Sequence, residues 1–242
     1  MQASERELYN AQDIVLEKVF DNAVKIGLPD IILCGGTALA RGYLNHRVSY
    51  DLDFFVPDKF SPEIVVAQIG KTGIDLSGIV IEDRRPYVLQ LHATTTIGEI
   101  DVKISIIEDG FAGMWDSVWV GNVKTEPIEG LYHRKLRTIS GISKSDGRQT
   151  ARDLYDLFVL DKEIERISDF VGRINKKGAN FPAEMFCQKM SAIPWIDLMD
   201  EFDGLERSQK YRQTSMVGDI KKAMETEVND MTSPQRKRHG LD

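Results

Sequence analysis

Two aspartates stand two residues apart in a short apolar segment, DLDFFV (residues 51–56). The alternation predicts a strand, so Asp51 and Asp53 project from one face, with Cα atoms about 6.6 Å apart at ~3.3 Å per residue. Neighbouring carboxylates repel unless a cation lies between them, and Mg²⁺ prefers such oxygen ligands. Because Asp is uncommon in strands, the pair indicates a metal site. The alternative is a half-exposed strand whose aspartates face water.

A third carboxylate, Asp101, lies on the polar side of a second predicted strand, residues 98–107. It alternates there with apolar residues, namely Ile100, Val102, Ile104 and Ile106. Three carboxylates on neighbouring strands would complete a site for two metal ions ~3.5–4 Å apart. The alternative is that Lys103, on the same face, pairs with Asp101.

A glycine turn, Gly35-Gly36-Thr37, follows a predicted strand at residues 30–34 and precedes a predicted helix. Backbone N–H groups at such a turn bind anions, Gly36 would allow close approach of a phosphate, and the Thr37 hydroxyl could donate to it. Many tight turns carry two glycines, so this motif alone is weak. A phosphate site about 15 residues before the aspartate pair is typical of a nucleoside triphosphate pocket.

The surrounding elements predict an α/β (α+β) fold in which a mixed sheet with flanking helices is followed by a helical C-terminal half. The predicted domains are residues 1–127 and 128–242, with a disordered basic tail from about residue 232. Further strands are expected at 77–83, 87–94 and 119–124. Helices are expected before Gly27, after Thr37 and after Ser61, and then at 128–141, 148–162, 165–175, 182–192 and 208–228.

Composition excludes several classes of protein. The chain has 242 residues and a net charge of −7, which argues against a uniformly basic nucleic-acid coat. No apolar run reaches the roughly 18 residues of a membrane helix and no secretory signal is visible, so a cytoplasmic protein is expected. Two distant cysteines and four histidines without an HExxH motif argue against a zinc site.

The segment GGTALARGYLNHRVSYDLDFF resembles the DNA polymerase β-like nucleotidyltransferases, and most closely the AbiEii/AbiGii toxin family with its MenT-like members. Two later motifs strengthen the resemblance, which covers about residues 30–160. They are Lys135 in EGLYHRKLRTISG and the RDLYDL segment at residues 152–157.

This resemblance implies a polymerase β-like fold and a reaction. Two Mg²⁺ ions hold a nucleoside triphosphate, an acceptor hydroxyl attacks the α-phosphorus, and pyrophosphate leaves. The implied metal ligands are Asp51 and Asp53, together with Asp101, which helps to activate the acceptor. The residues implied to contact the nucleotide are Gly35, Gly36, Thr37, Arg47, Ser49 and Lys135. The helical acid of the last motif is Asp153 or Asp156; Lys135 and these acids could also be ordinary surface residues.

The resemblance also implies a tRNA 3′ end as acceptor and a cognate antitoxin as partner. A basic segment permits RNA binding, because residues 133–152 hold one acidic residue, Asp146, and six basic ones: Arg134, Lys135, Arg137, Lys144, Arg148 and Arg152. Arg41, His46, Arg47, Arg84 and Arg85 could extend it. The alternatives are transfer to a small molecule such as an antibiotic or to a protein, a nucleotide-binding module without turnover, and a metal-dependent phosphohydrolase.

Overall fold

The computed structural model describes residues 3–57, 59–83, 89–109, 114–141, 150–211 and 216–233. The chain divides into two compact units, Met1–Leu131 and Tyr132–Asp242. The predicted basic tail, apart from its first residues, lies outside the described residues, as do Arg84, Arg85, Lys144, Asp146 and Arg148.

The first unit is built on a seven-stranded mixed sheet with the order β3-β4-β5-β2-β1-β7-β6. β2 runs antiparallel to β1 and parallel to β5. The predicted mixed α/β fold is therefore confirmed. The strands are β1 (Ile32–Cys34), β2 (Asp51–Val56), β3 (Ser77–Asp83), β4 (Leu89–Ile97), β5 (Ile100–Glu108), β6 (Val118–Val120) and β7 (Val123–Thr125).

Three helices accompany this sheet: α1 (Ala3–Asp21), α2 (Gly35–Leu39), which continues into a π-helical turn (Ala40–Leu44), and α3 (Pro62–Lys71). The first helix was predicted to continue to Gly27, but α1 ends at Asp21. Ile26, beyond its end, is still buried. The π-helical turn closes where Asn45, in a left-handed conformation, donates its N–H to the carbonyl of Ala40 at 2.7 Å.

The predicted alternation of β5 is confirmed by burial. Val102, Ile104 and Ile106 are buried, whereas Asp101 and Lys103 are exposed. The segment 119–124, predicted as one strand, is instead the hairpin of β6 and β7, which turns at Gly121 with a positive φ.

The remaining helices follow in chain order. They are α4 (Ile128–Ile139), α5 (Thr150–Glu163), α6 (Ile167–Lys176), α7 (Ala183–Ser191), α8 (Met199–Asp203) and α9 (Met216–Thr232), with a 3₁₀ turn at Gln209–Tyr211 before α9. α5 is central to the second unit, since every described residue from Asp153 to Leu160 is buried. Tyr132 stacks on Phe170 with ring centroids 4.2 Å apart. Among the described residues, no helix is long and apolar enough to cross a membrane.

Protonation of His133 should destabilise the second unit. This side chain is buried, and burial, aided by Arg137 and Arg134, lowers its pKa to about 4. Because the folded pKa lies below the unfolded value of about 6.5, the stabilisation is complete above pH 6.5 and is lost as the pH falls towards 4. We expect the loss to be about 2 kcal/mol between pH 7 and pH 5.

Urea unfolding of the wild type and of His133→Gln at both pH values measures this contribution as a difference. The difference is needed because burial raises the pKa of Asp161 to about 6. An acid with a raised folded pKa stabilises the fold at low pH, and this stabilisation is lost as the pH rises. Its pH dependence is therefore opposite in sign to that of His133. Identical pH dependence in both proteins would contradict the prediction.

Candidate active site

Asp51 and Asp53 lie on one face of β2, both half-buried, and alternate along the strand with the buried residues Leu52 and Phe54. They line one cavity of about 230 Å³. In the register of β2 with β5, Asp51 lies opposite Lys103 and Asp53 lies opposite Ser105. The predicted pair of carboxylates therefore opens onto a shared space.

The glycine turn lies directly under one of these carboxylates. Gly35 has φ +70°, a conformation that favours glycine. A Cβ atom added at Gly35 would lie 2.5 Å from Asp53 Oδ2. β1 and β2 pair Cys34 with Asp53, which places the start of α2 at this point. The structure thus brings the glycine turn against Asp53.

Gly36 leaves the space that the buried side chain of Arg47 occupies. A Cβ atom there would lie 2.4 Å from the guanidinium of Arg47, which is 5% exposed, and 3.1 Å from Ser49 Oγ. Thr37 Oγ1 lies 2.9 Å from Ser49 Oγ and also donates to the carbonyl of Asp51. Gly36, Thr37, Arg47 and Ser49 therefore form one packed cluster, and the absence of a Cβ at Gly36 is explained by Arg47.

Gln12 of α1 braces the segment that leads into β2, a role that the sequence did not indicate. It is fully buried, and its amide nitrogen donates to the carbonyls of Ser49 and Tyr50, each at 3.0 Å. Its amide oxygen accepts from Arg41 at 3.1 Å, and Arg41 also pairs with Asp13 at 2.5 Å. A buried glutamine that satisfies two carbonyls fixes their positions immediately before Asp51.

Asp101 is exposed and does not line the cavity that Asp51 and Asp53 share. It pairs with Thr96 of β4, whose hydroxyl donates to its carboxylate at 2.7 Å. The lining from β4 and β5 includes Lys103, Ser105, His92 and Thr94 instead. Sequence reasoning missed these residues, because alternation identifies the polar face of β5 but cannot say which of its members lies beside Asp53.

Lys135, Asp153 and Asp156 form a buried ion cluster in the second unit. Lys135 Nζ lies 2.6 Å from Asp153 Oδ1 and 2.6 Å from Asp156 Oδ2. The three side chains are 10%, 8% and 0% exposed. Both acids that the sequence offered as the helical acid of the last motif pair with this lysine.

Among its described members, the predicted basic surface exposes fewer charges than the sequence implies. Lys135, His46 and Arg47 are buried, so their charge is not presented at the surface. Arg134, Arg137 and Arg152 are partly exposed.

A comparison with protein-family models matched residues 21–213 to the family described as "Nucleotidyl transferase AbiEii toxin, Type IV TA system". The match spans most of the chain, including all the motifs described above. The chain belongs to the AbiEii nucleotidyltransferase toxin family. It is thus a nucleotidyltransferase with a nucleoside triphosphate substrate, and its family pairs such toxins with antitoxins.

Solved structures share the fold of this AbiEii protein. JHP933 from Helicobacter pylori has a TM-score of 0.57 at 16% identity, with 100% of this chain and 97% of the other covered. MenT4, a nucleotidyltransferase toxin from Mycobacterium tuberculosis, has a TM-score of 0.50 at 16% identity, with 98% of this chain and 87% of the other covered. A search of curated proteins found no match.

The donor set of the AbiEii site fits a divalent metal bound together with a substrate. Within the described parts of the chain, no cluster of three or more His, Cys, Asp or Glu side chains is placed to hold a metal. Mg²⁺, however, is commonly held by one or two carboxylates plus substrate phosphates. Asp51 and Asp53 supply two carboxylates on one face of one cavity, so they match that mode of binding.

Substitution of Gly35 by alanine should impair transfer by displacing Asp53. The added Cβ would overlap Asp53 Oδ2, and a displacement of about 1 Å in an active site can cost about a hundredfold in rate. We expect a loss of that size in a radiolabelled transfer assay. The positive φ adds about 1–2 kcal/mol of destabilisation.

Gly27→Ala is the matched control, because Gly27 has φ +78° but no atom of the described residues lies within 4 Å of an added Cβ. It should lose similar stability and keep its transfer rate. Equal rates in the two variants would show that the position of Asp53 over the turn is unimportant.

Proposed function

We propose that this AbiEii protein is a Mg²⁺-dependent enzyme that transfers a nucleoside monophosphate from a nucleoside triphosphate to the 3′ end of tRNA. It acts as the toxin of a toxin–antitoxin pair in the cytoplasm. The observation that carries the proposal is the opening of Asp51 and Asp53 onto one cavity, with Asp53 against the glycine turn.

Each part of the site has a role in this reaction. Asp51 and Asp53 would hold the two metal ions, which when bound would neutralise the triphosphate and stabilise the leaving pyrophosphate. The cluster of Gly36, Thr37, Arg47 and Ser49 keeps the turn rigid beside those carboxylates. Lys103, exposed beside Asp51, adds a positive charge at the cavity.

The predicted roles of Asp101 as third metal ligand and of Lys135 as nucleotide contact stay predictions. Support for tRNA as the acceptor comes from the toxin family and from the partly exposed Arg134, Arg137 and Arg152, whose charge suits a phosphate backbone.

Transfer labelling tests the proposal. The protein is incubated with Mg²⁺, total tRNA and each α-labelled nucleoside triphosphate in turn. We expect label on tRNA with one preferred nucleotide, dependent on added Mg²⁺ and removed by chelation. Label on a protein or a small molecule instead would contradict the tRNA acceptor and keep the chemistry. Transfer that persists in chelator would contradict the metal.

A further inference from the structure

Three side chains from neighbouring strands form a row across the open face of the sheet. Ser105 of β5 lies opposite Asp53 of β2 on one side and opposite His92 of β4 on the other. All three line the cavity of about 230 Å³. A hydroxyl and an imidazole therefore stand beside the proposed metal-binding carboxylate.

The hydrogen-bond partners of His92 fit one tautomer of its ring. Its Nε2 lies 3.2 Å from Gln90 Oε1, and its Nδ1 lies 3.0 Å from Ser105 Oγ. An amide oxygen only accepts, so we assign the hydrogen to Nε2. Nδ1 then presents its lone pair to the Ser105 hydroxyl, which donates to it. This is the arrangement in which an imidazole can take a proton from a hydroxyl.

No carboxylate of β5 shares the cavity with Asp51 and Asp53. Lys103 and Ser105 lie opposite them, while Asp101 lies further along the strand and accepts a hydrogen bond from Thr96. Nucleotidyl transfer nevertheless requires that the acceptor hydroxyl lose its proton. In the described cavity lining, Ser105 and His92 are hydrogen-bonded to each other and could accept this proton.

We propose that Ser105 and His92 form a proton relay that deprotonates the acceptor hydroxyl. The inference rests on the proposed nucleotidyl transfer. The acceptor O–H donates its proton to Ser105 Oγ as the Ser105 proton passes to His92 Nδ1. The acceptor oxygen bonds to the α-phosphorus, and the bond from that phosphorus to the bridging oxygen breaks. Pyrophosphate leaves with the electron pair of that bond. His92 then carries hydrogens on both ring nitrogens, and Gln90 Oε1 still accepts from Nε2.

In this scheme Ser105 is a catalytic residue and His92 acts through it. Ser105→Ala should lower kcat by about a hundredfold or more, the usual contribution of a positioned proton acceptor. The KM for the nucleoside triphosphate should stay within about twofold, because the relay acts on the acceptor and not on nucleotide binding. Ser61→Ala, on the loop before α3, is the matched control and should leave both values unchanged.

Measuring the effect of His92→Asn in two different proteins, the wild type and Ser105→Asp, distinguishes the relay from a purely structural role of His92. Ser105→Asp places a carboxylate opposite Asp53, which can itself accept the proton. His92→Asn should therefore cost at least about tenfold in kcat in the wild-type background and little in the Ser105→Asp background. A purely structural His92 would cost the same factor in both. That result, or an unchanged kcat in Ser105→Ala, would overturn the relay.

Nitrogen-15 NMR of the free protein gives a readout that does not depend on turnover. We expect hydrogen on Nε2 of His92 and an Nδ1 signal that shifts in Ser105→Ala. Hydrogen on Nδ1 would overturn the relay. If the wild type transfers label and Ser105→Ala does so equally well, the relay alone fails. If the wild type labels no acceptor, the proposed function fails and the relay fails with it.

Discussion

Replacing Asp53 by asparagine is expected to lower the rate of nucleotidyl transfer by about a thousandfold or more, and Asp51→Asn should do the same. Metal-assisted charge stabilisation contributes several kcal/mol to such reactions, and each 1.36 kcal/mol is about tenfold in rate. Asparagine keeps the shape of the side chain over Gly35. It removes only the negative charge that is proposed to hold a cation. Initial rates with saturating labelled nucleotide measure the effect.

The same variants should remain folded. Removing one of two neighbouring like charges relieves repulsion, so the free energy of unfolding in urea should be unchanged or slightly higher without metal. Added Mg²⁺ should raise the melting temperature of the wild type in the presence of nucleotide and leave the variants unaffected. Asp75→Asn, at an exposed site before β3, is the control for charge alone. Retained transfer in both active-site variants would end the metal-site proposal.

Replacing Lys135 by methionine should destabilise the second unit by about 3–5 kcal/mol, the usual cost of removing one partner from a buried ion pair. The reason is that Asp153 and Asp156, 8% and 0% exposed, would lose the cation that lies 2.6 Å from each of them. Urea unfolding measures the loss. Lys210→Met is the matched control, because Lys210 is 63% exposed in its pair with Glu163, and it should leave the free energy of unfolding nearly unchanged.

A combined variant separates stability from catalysis. Lys135→Met together with Asp153→Asn and Asp156→Asn removes both buried charges along with the lysine, and should recover a large part of the lost stability. If Lys135 contacts the triphosphate, or one of the two acids acts in the reaction, as the resemblance implies, transfer should stay impaired in this stable variant. Wild-type rates in the combined variant would assign the lysine to folding alone. A loss below about 1 kcal/mol in Lys135→Met would contradict the buried cluster itself.

The sequence predicted what is local in this fold. β2 and β5 were recognisable because apolar and polar side chains alternate with period two, and burial at Leu52, Phe54, Val102 and Ile104 follows that alternation. The glycine turn was recognisable because it joins a β-branched run to a helical one. These patterns depend on neighbouring residues, so a single sequence contains them.

What the sequence could not predict is the pairing between distant segments. The register that puts Ser105 beside Asp53, and leaves Asp101 beside Thr96, depends on how two strands slide past one another. A shift of two residues would keep the same alternation and bring a different side chain to the site. The bonds from Gln12 to the carbonyls of Ser49 and Tyr50 are likewise non-local, and nothing in the α1 sequence distinguishes that glutamine from a surface one.

The hydrogen bonds of Gln12 to the carbonyls of Ser49 and Tyr50 limit how far this enzyme can be truncated from its N-terminus. The family match begins at residue 21, so all of α1 except its last residue precedes the part of the chain that the AbiEii family model matches. A truncated protein starting there would lose the side chain that holds the backbone before Asp51, and the sheet would lose the cover of Val15, Leu16 and Val19. Expression limited to the matched region would therefore yield β2 without the hydrogen bonds from Gln12 that fix the backbone before it. The smallest active fragment must begin ahead of Gln12.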